Sequence, residues 1–110
     1  MGKFIKGDVV VVPFPFSDLT DAKRRPALVI ADFQGDDYLL VQITSKTIKD
    51  ESAVPLSDDD FSKGGLKKES NIRPNRIFTA DSKIILYKAG TIKNEKLDEV
   101  INKIIRMIQK

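Results

Sequence analysis

The sequence predicts a mainly β (α+β) domain: a small, partly open β-barrel closed by one C-terminal helix. Three observations carry this expectation. Short apolar runs rich in β-branched residues recur through the first ninety residues, separated by turn chemistry. The hydrophobic period then changes once, to helical spacing, near the C-terminus. The chain has only 110 residues and no repeat, linker or low-complexity tract, so all elements must share one core. Residues 7–110 are read as one domain.

The first element is Asp8-Val9-Val10-Val11-Val12, a continuous β-branched run suited to a strand buried on both faces. Pro13 and Pro15 are expected to end it, because proline gives no ladder donor. Residues 14–25 read as a polar loop. Pro26 to Ala31 is the second strand. Gln34-Gly35-Asp36 supplies turn chemistry, and Tyr38 to Ile43 forms the third strand, hairpinned to the second.

Ala53 to Leu56 reads as a short edge strand. Ser57 is placed to cap one helical turn over Asp58-Asp59-Asp60-Phe61, where carboxylates favour the N-terminal end. Gly64-Gly65 is a turn. Ser70 to Thr79 and Lys83 to Ile92 are the remaining strands, with Gly90 as a bend. Leu97, Val100, Ile101, Ile104, Ile105 and Ile108 then mark a helix from Asn94 to Gln109, with Asn94 as N-cap and an apolar stripe for the sheet.

Composition excludes several chemistries. There is no Cys and no His, so a Cys/His zinc site, a disulfide and a histidine general base are all ruled out. Asp58-Asp59-Asp60 invites a Mg²⁺ site, but consecutive residues on a helical turn diverge and make poor joint ligands. No cofactor and no metal are expected. No apolar run approaches a membrane span and the N-terminus is too short and polar for a signal peptide, so a cytoplasmic location is expected, with no membrane partner.

The net charge of +3 is unevenly spread. Residues 23–25 and 63–76 together carry +7 and the rest of the chain −4. Such a basic face on an acidic body suits a polyanion.

Gly7-Asp8-Val9-Val10-Val11-Val12-Pro13-Phe14, followed by Arg25-Pro26-Ala27-Leu28-Val29-Ile30, resembles the PemK/MazF toxin family. So do Ile43-Thr44-Ser45, Ser70-Asn71-Ile72-Arg73 and Phe78-Thr79-Ala80-Asp81, in the same order. The resemblance implies an SH3-like barrel of the CcdB/Kid/MazF type and a homodimer. It also implies a metal-independent endoribonuclease that cuts single-stranded RNA at short sequences, the toxin of a type II toxin–antitoxin pair. Its partner would be a cognate MazE/PemI-like antitoxin. The expected products are a 2′,3′-cyclic phosphate and a 5′-hydroxyl.

The resemblance assigns Arg25 and Thr44 as the catalytic pair. Some members add an Arg and an Asp two residues apart on the later strand. Here Arg73 matches the Arg, and Asn75 stands in place of the Asp. Other members carry a Glu-Gln pair or a His in the first loop, where this chain offers Asp18, Thr20 and Asp21. The general base is therefore unassigned.

The residue types fit the assignment. A guanidinium keeps its charge and matches a phosphate with two parallel donors, which suits Arg25 to charge stabilisation. Thr44 and Ser45 end a strand, where hydroxyls can bond a phosphoryl oxygen. Arg24 and Arg73 are candidates for phosphate contact. Asn71, Asn75 and Arg76 carry groups that read base edges. Phe14 and Phe16 are candidates for stacking unpaired bases. Two other functions fit the same fold: a CcdB-like DNA gyrase poison and a non-catalytic RNA-binding barrel.

Overall fold

A computed structural model describes residues 4–14, 23–33, 35–46 and 51–110, with Phe14 described in backbone only. Seven antiparallel strands form one sheet: β1 Asp8–Phe14, β2 Lys23–Asp32, β3 Asp37–Thr44, β4 Val54–Leu56, β5 Phe61–Gly64, β6 Ser70–Asp81 and β7 Tyr87–Ile92. Their order across the sheet is β4-β6-β3-β2-β1-β7-β5. The terminal helix α1 spans Asn94–Ile108.

This order forces the sheet to curl. The edge strands β4 and β5 lie at opposite ends of the sheet, yet only residues 57–60 separate them in sequence. Laid flat, seven strands would hold their edges about 28 Å apart. The five steps from Leu56 to Phe61 reach about 17 Å at most. The sheet therefore rolls into a half-barrel whose two edges meet over one core. That core contains Val54 and Leu56 from one edge strand and Phe61 from the other, beside Val9, Leu28, Val41, Ile43 and Ile72. Leu97 and Val100 of α1 plug it. The fold is the mainly β half-barrel with a C-terminal helix that the periodicity predicts.

A second apolar cluster lies on the outer face of the same strands. Val10, Val12, Ala27, Val29, Tyr38, Leu40 and Ala80 pack there beneath Phe4, Ile84 and Ile85. Period-two alternation explains both clusters, since odd and even residues of β1 point to opposite faces. Val9 to Val12 are all buried, as a strand covered on both sides requires.

The structure corrects five local expectations. Pro13 does not end β1; it pairs with Arg24, and the strand runs on to Phe14. Correspondingly β2 begins at Lys23, so residues 23–25 are strand and not loop. Gly64 closes a short strand, β5, that the glycine pair concealed. Residues 82–84 form a 3₁₀ turn, and β7 starts only at Tyr87. Lys93, not Asn94, is the helix N-cap. Pro15, Phe16, Asp18, Thr20 and Asp21 lie outside the described residues.

Candidate RNA-handling site

Strand register decides which candidate residues meet. Ala27 of β2 pairs with Gln42 of β3, and Val10 of β1 pairs with Ala27. Two residues further along the same strands lie Arg25, Thr44 and Val12, and Val12 pairs with Arg25 directly. Thr44 in turn pairs with Asn71 of β6. Continued two residues past its last pair, Ala27–Gln42, the β2–β3 register sets Arg25 opposite Thr44, in line with Asn71 on β6 at one end of the outer face. Opposed positions on adjacent antiparallel strands are about 5 Å apart at Cα. One phosphate can span such a gap. Arg73 follows Asn71 on the same face of β6 by alternation.

Environment grades this row. Thr44 is 7% exposed, and its Oγ1 accepts a hydrogen bond from the Lys46 backbone N–H at 3.2 Å. The bond fixes the hydroxyl at the strand end, and a hydroxyl that accepts still has its proton to donate. The residue sits on the outer face, away from the core plugged by α1. Arg25, Asn71 and Arg73 are half-buried, so long polar side chains emerge from a partly dry surface. Hydrogen bonds to a phosphate strengthen in such surroundings.

Arg24 and Ser45 fall on the other face. Arg24 alternates with Arg25, and Ser45 with Thr44, so both belong with Pro26 and Ser70 on the barrel side. Asn75 and Arg76 are exposed in the stretch where the β3–β6 register slips between the Ile43–Ile72 and Val41–Ile77 pairs. The irregularity releases their side chains from the ladder. The candidate residues are therefore split between two faces by the β pleat, with Arg25, Thr44, Asn71 and Arg73 on one face.

Two acidic features turn out to be architectural. Asp8 is 1% exposed; it accepts from the Ile5 N–H at 2.9 Å and from the Thr91 hydroxyl at 2.9 Å, tying the chain entry to β7. Asp60 turns back to accept from the Ser57 N–H at 2.8 Å and lies 3.8 Å from Lys96 of α1. The Asp58–Asp60 turn thus serves to join the sheet edges to the helix. Among the described residues, no three acidic side chains converge as a metal-ligand group.

The half-barrel fold recurs in solved structures. It is similar to a solved mycobacterial endoribonuclease in complex with its cognate antitoxin, with TM-score 0.74 and 12% identity over 99% of this chain and 96% of that one. It is similar to MazF in a MazE–MazF complex from Deinococcus radiodurans, with TM-score 0.76 and 17% identity over 94% of both chains. The Mycobacterium tuberculosis toxin MazF-mt6 aligns with TM-score 0.68 and 14% identity over 91% and 96% of the two chains. No curated protein matches by sequence. Residues 5–108 match the family model of PemK-like, MazF-like toxins of type II toxin–antitoxin systems, and the chain belongs to that family.

Proposed function

We propose that this toxin is a metal-independent endoribonuclease acting on single-stranded RNA, with Arg25 and Thr44 holding the scissile phosphate. The observation that carries this reading is the row of Arg25, Thr44 and Asn71 on three adjacent strands of the outer face. Family membership favours it over gyrase poisoning and over a non-catalytic barrel. Solved neighbours described as endoribonucleases support it.

RNA carries its own nucleophile, the 2′-hydroxyl. The 2′-oxygen attacks the adjacent phosphorus, the bond to the 5′-oxygen breaks, and the products are a 2′,3′-cyclic phosphate and a 5′-hydroxyl. Water takes the proton from the 2′-oxygen and water gives one to the departing 5′-oxygen, so the step balances without a metal. Arg25 stabilises the charge that grows on the phosphoryl oxygens, which a permanently charged guanidinium suits. Thr44 donates its hydroxyl proton to a second phosphoryl oxygen. Asn71 and Arg73 grip the neighbouring nucleotide. Holding the 2′-oxygen in line with the leaving oxygen contributes about 7–11 kcal/mol in well-oriented systems. With no histidine in the chain, positioning and charge carry most of the rate.

In this reading the toxin works in the cytoplasm as a homodimer, and a co-produced antitoxin holds it inactive. The neighbours solved as complexes with antitoxins support that partner. Incubation with mixed-sequence RNA in EDTA, followed by mapping of 5′-hydroxyl ends, tests the function. Cuts at a recurrent short sequence are expected. Binding without cuts sinks the nuclease, and gyrase-dependent DNA breaks would replace it.

A further inference from the structure

The barrel side of the sheet holds a groove that the proposed chemistry does not use. It lies past the end of the core, with a volume of about 300 Å³. Its floor is apolar: Val11 and Pro26 are paired neighbours on β1 and β2. Lys67 and Lys68, from the connection between β5 and β6, line it together with Arg24. Tyr87 lines it as well. It opens β7, pairs with Val11 across the ladder, and is 51% exposed. The local conformation of the lysines is anchored, since the Ser70 hydroxyl donates to the Lys68 carbonyl at 3.0 Å.

We propose that this groove is an accessory subsite for single-stranded RNA, in which Tyr87 stacks an unpaired base and Lys67, Lys68 and Arg24 hold the flanking phosphates. The inference rests on the nuclease reading for its substrate class. Three observations carry it. Cationic rims beside an apolar floor that ends in an open aromatic ring match how single strands are gripped: charge tracks the backbone and π-faces take the bases. Arg24 and Arg25 are successive residues of β2 pointing to opposite faces, so one strand supplies a cation both to the proposed catalytic row and to the groove. The groove also joins sequence-distant cations, bringing residues 67 and 68 to residue 24. Polyglutamate, which has no apolar side chain, would use the rims alone.

The subsite lengthens the grip beyond the scissile phosphate. Affinity should therefore step up when an oligonucleotide becomes long enough to reach Tyr87. The test uses the full chain and a length ladder of 2′-O-methyl RNA, which lacks the nucleophile and cannot be cut, read by fluorescence anisotropy. Wild type should show the step. Tyr87→Ala should lose it, with affinity for the longer oligonucleotides falling about fivefold or more. Tyr87→Phe should restore it, because the ring and not the hydroxyl stacks. Replacing Lys67 and Lys68 together by Ala should lower the slope of log affinity against log salt by about 1.4, at roughly 0.7 per phosphate contact on a single strand. In cleavage of natural RNA, Tyr87→Ala should raise KM with little change in kcat.

Thermal melts of each variant establish that it folds. Wild-type affinity that is independent of length, or a Tyr87→Ala variant that keeps the step, overturns the subsite. Loss through the lysines alone, matched by equal binding of a polyglutamate peptide, overturns it in favour of an acidic protein partner. If wild type binds with the step but cuts no RNA, the subsite stands and the nuclease reading fails.

Discussion

At the scale of single residues, the proposed chemistry depends on a charge and a hydroxyl held by neighbouring strands. Arg25→Ala should abolish RNA cleavage, measured as 5′-hydroxyl ends, while RNA binding weakens but stays measurable. Loss of one such charge-stabilising donor typically raises the barrier by about 2.7–4 kcal/mol. Arg25→Lys should recover little, because a point charge cannot reproduce the two parallel donors. Thr44→Val should lower kcat and Thr44→Ser should keep most of it, since only the hydroxyl is chemical. Equal rates for the Val and Ser variants would reduce Thr44 to a strand residue. Asp8 is a different case. Its carboxylate satisfies the Ile5 N–H and the Thr91 hydroxyl in a buried place. Asp8→Ala leaves both donors without that acceptor and should cost about 1–3 kcal/mol in urea unfolding for each orphaned group. Composition marked Asp8 only as part of a motif. Its structural duty needed the β1–β7 pairing to become visible.

At the scale of elements, the closing of the half-barrel turns on two glycines. Gly64 pairs with Gly90 where β5 meets β7. A Cβ at Gly90 would stand 2.5 Å from the Lys63 carbonyl oxygen and 2.9 Å from the Gly65 nitrogen. Gly64 has φ +65° and its Cβ would clash with the Ala89 carbonyl oxygen. Both clashes involve backbone, which cannot step aside as a side chain does. Gly90→Ala should therefore destabilise the fold by about 1–3 kcal/mol, with faster amide exchange concentrated in β5. Helix α1 plugs the core through Leu97 and Val100, so Leu97→Ala should cost about 2–5 kcal/mol by chemical denaturation. The isoleucine stripe was legible in sequence as helical, yet only its first half meets the sheet. Ile105 is 41% and Ile108 74% exposed, because α1 runs on past the barrel. Periodicity reports which face is apolar and is silent on where the neighbouring element stops.

At the scale of the whole molecule, the outer face and the barrel mouth divide the basic residues between them. Residues 23–25 feed both, since a β-strand sends alternate side chains to opposite sides. A homodimer would set two such surfaces side by side. Light scattering after size exclusion should give about twice the 12.3 kDa chain mass, and a monomer mass would rule the dimer out. Cleavage should be unaffected by EDTA, and strong inhibition would call for a metal-assisted route. RNA affinity should fall steeply with salt, as phosphate contacts require.

The sequence by itself determined the β-branched runs and the single terminal helix. These are local signals, written in neighbouring residues through side-chain period and backbone preference. Boundaries at proline and glycine are decided by ladder partners: Pro13 stays in β1 opposite Arg24, and Gly64 enters β5 opposite Gly90. Only the tertiary structure placed Arg25 in line with Thr44 and Asn71, and Tyr87 beside Lys67. Those meetings depend on strand order and register, which are set by packing between residues far apart in the chain.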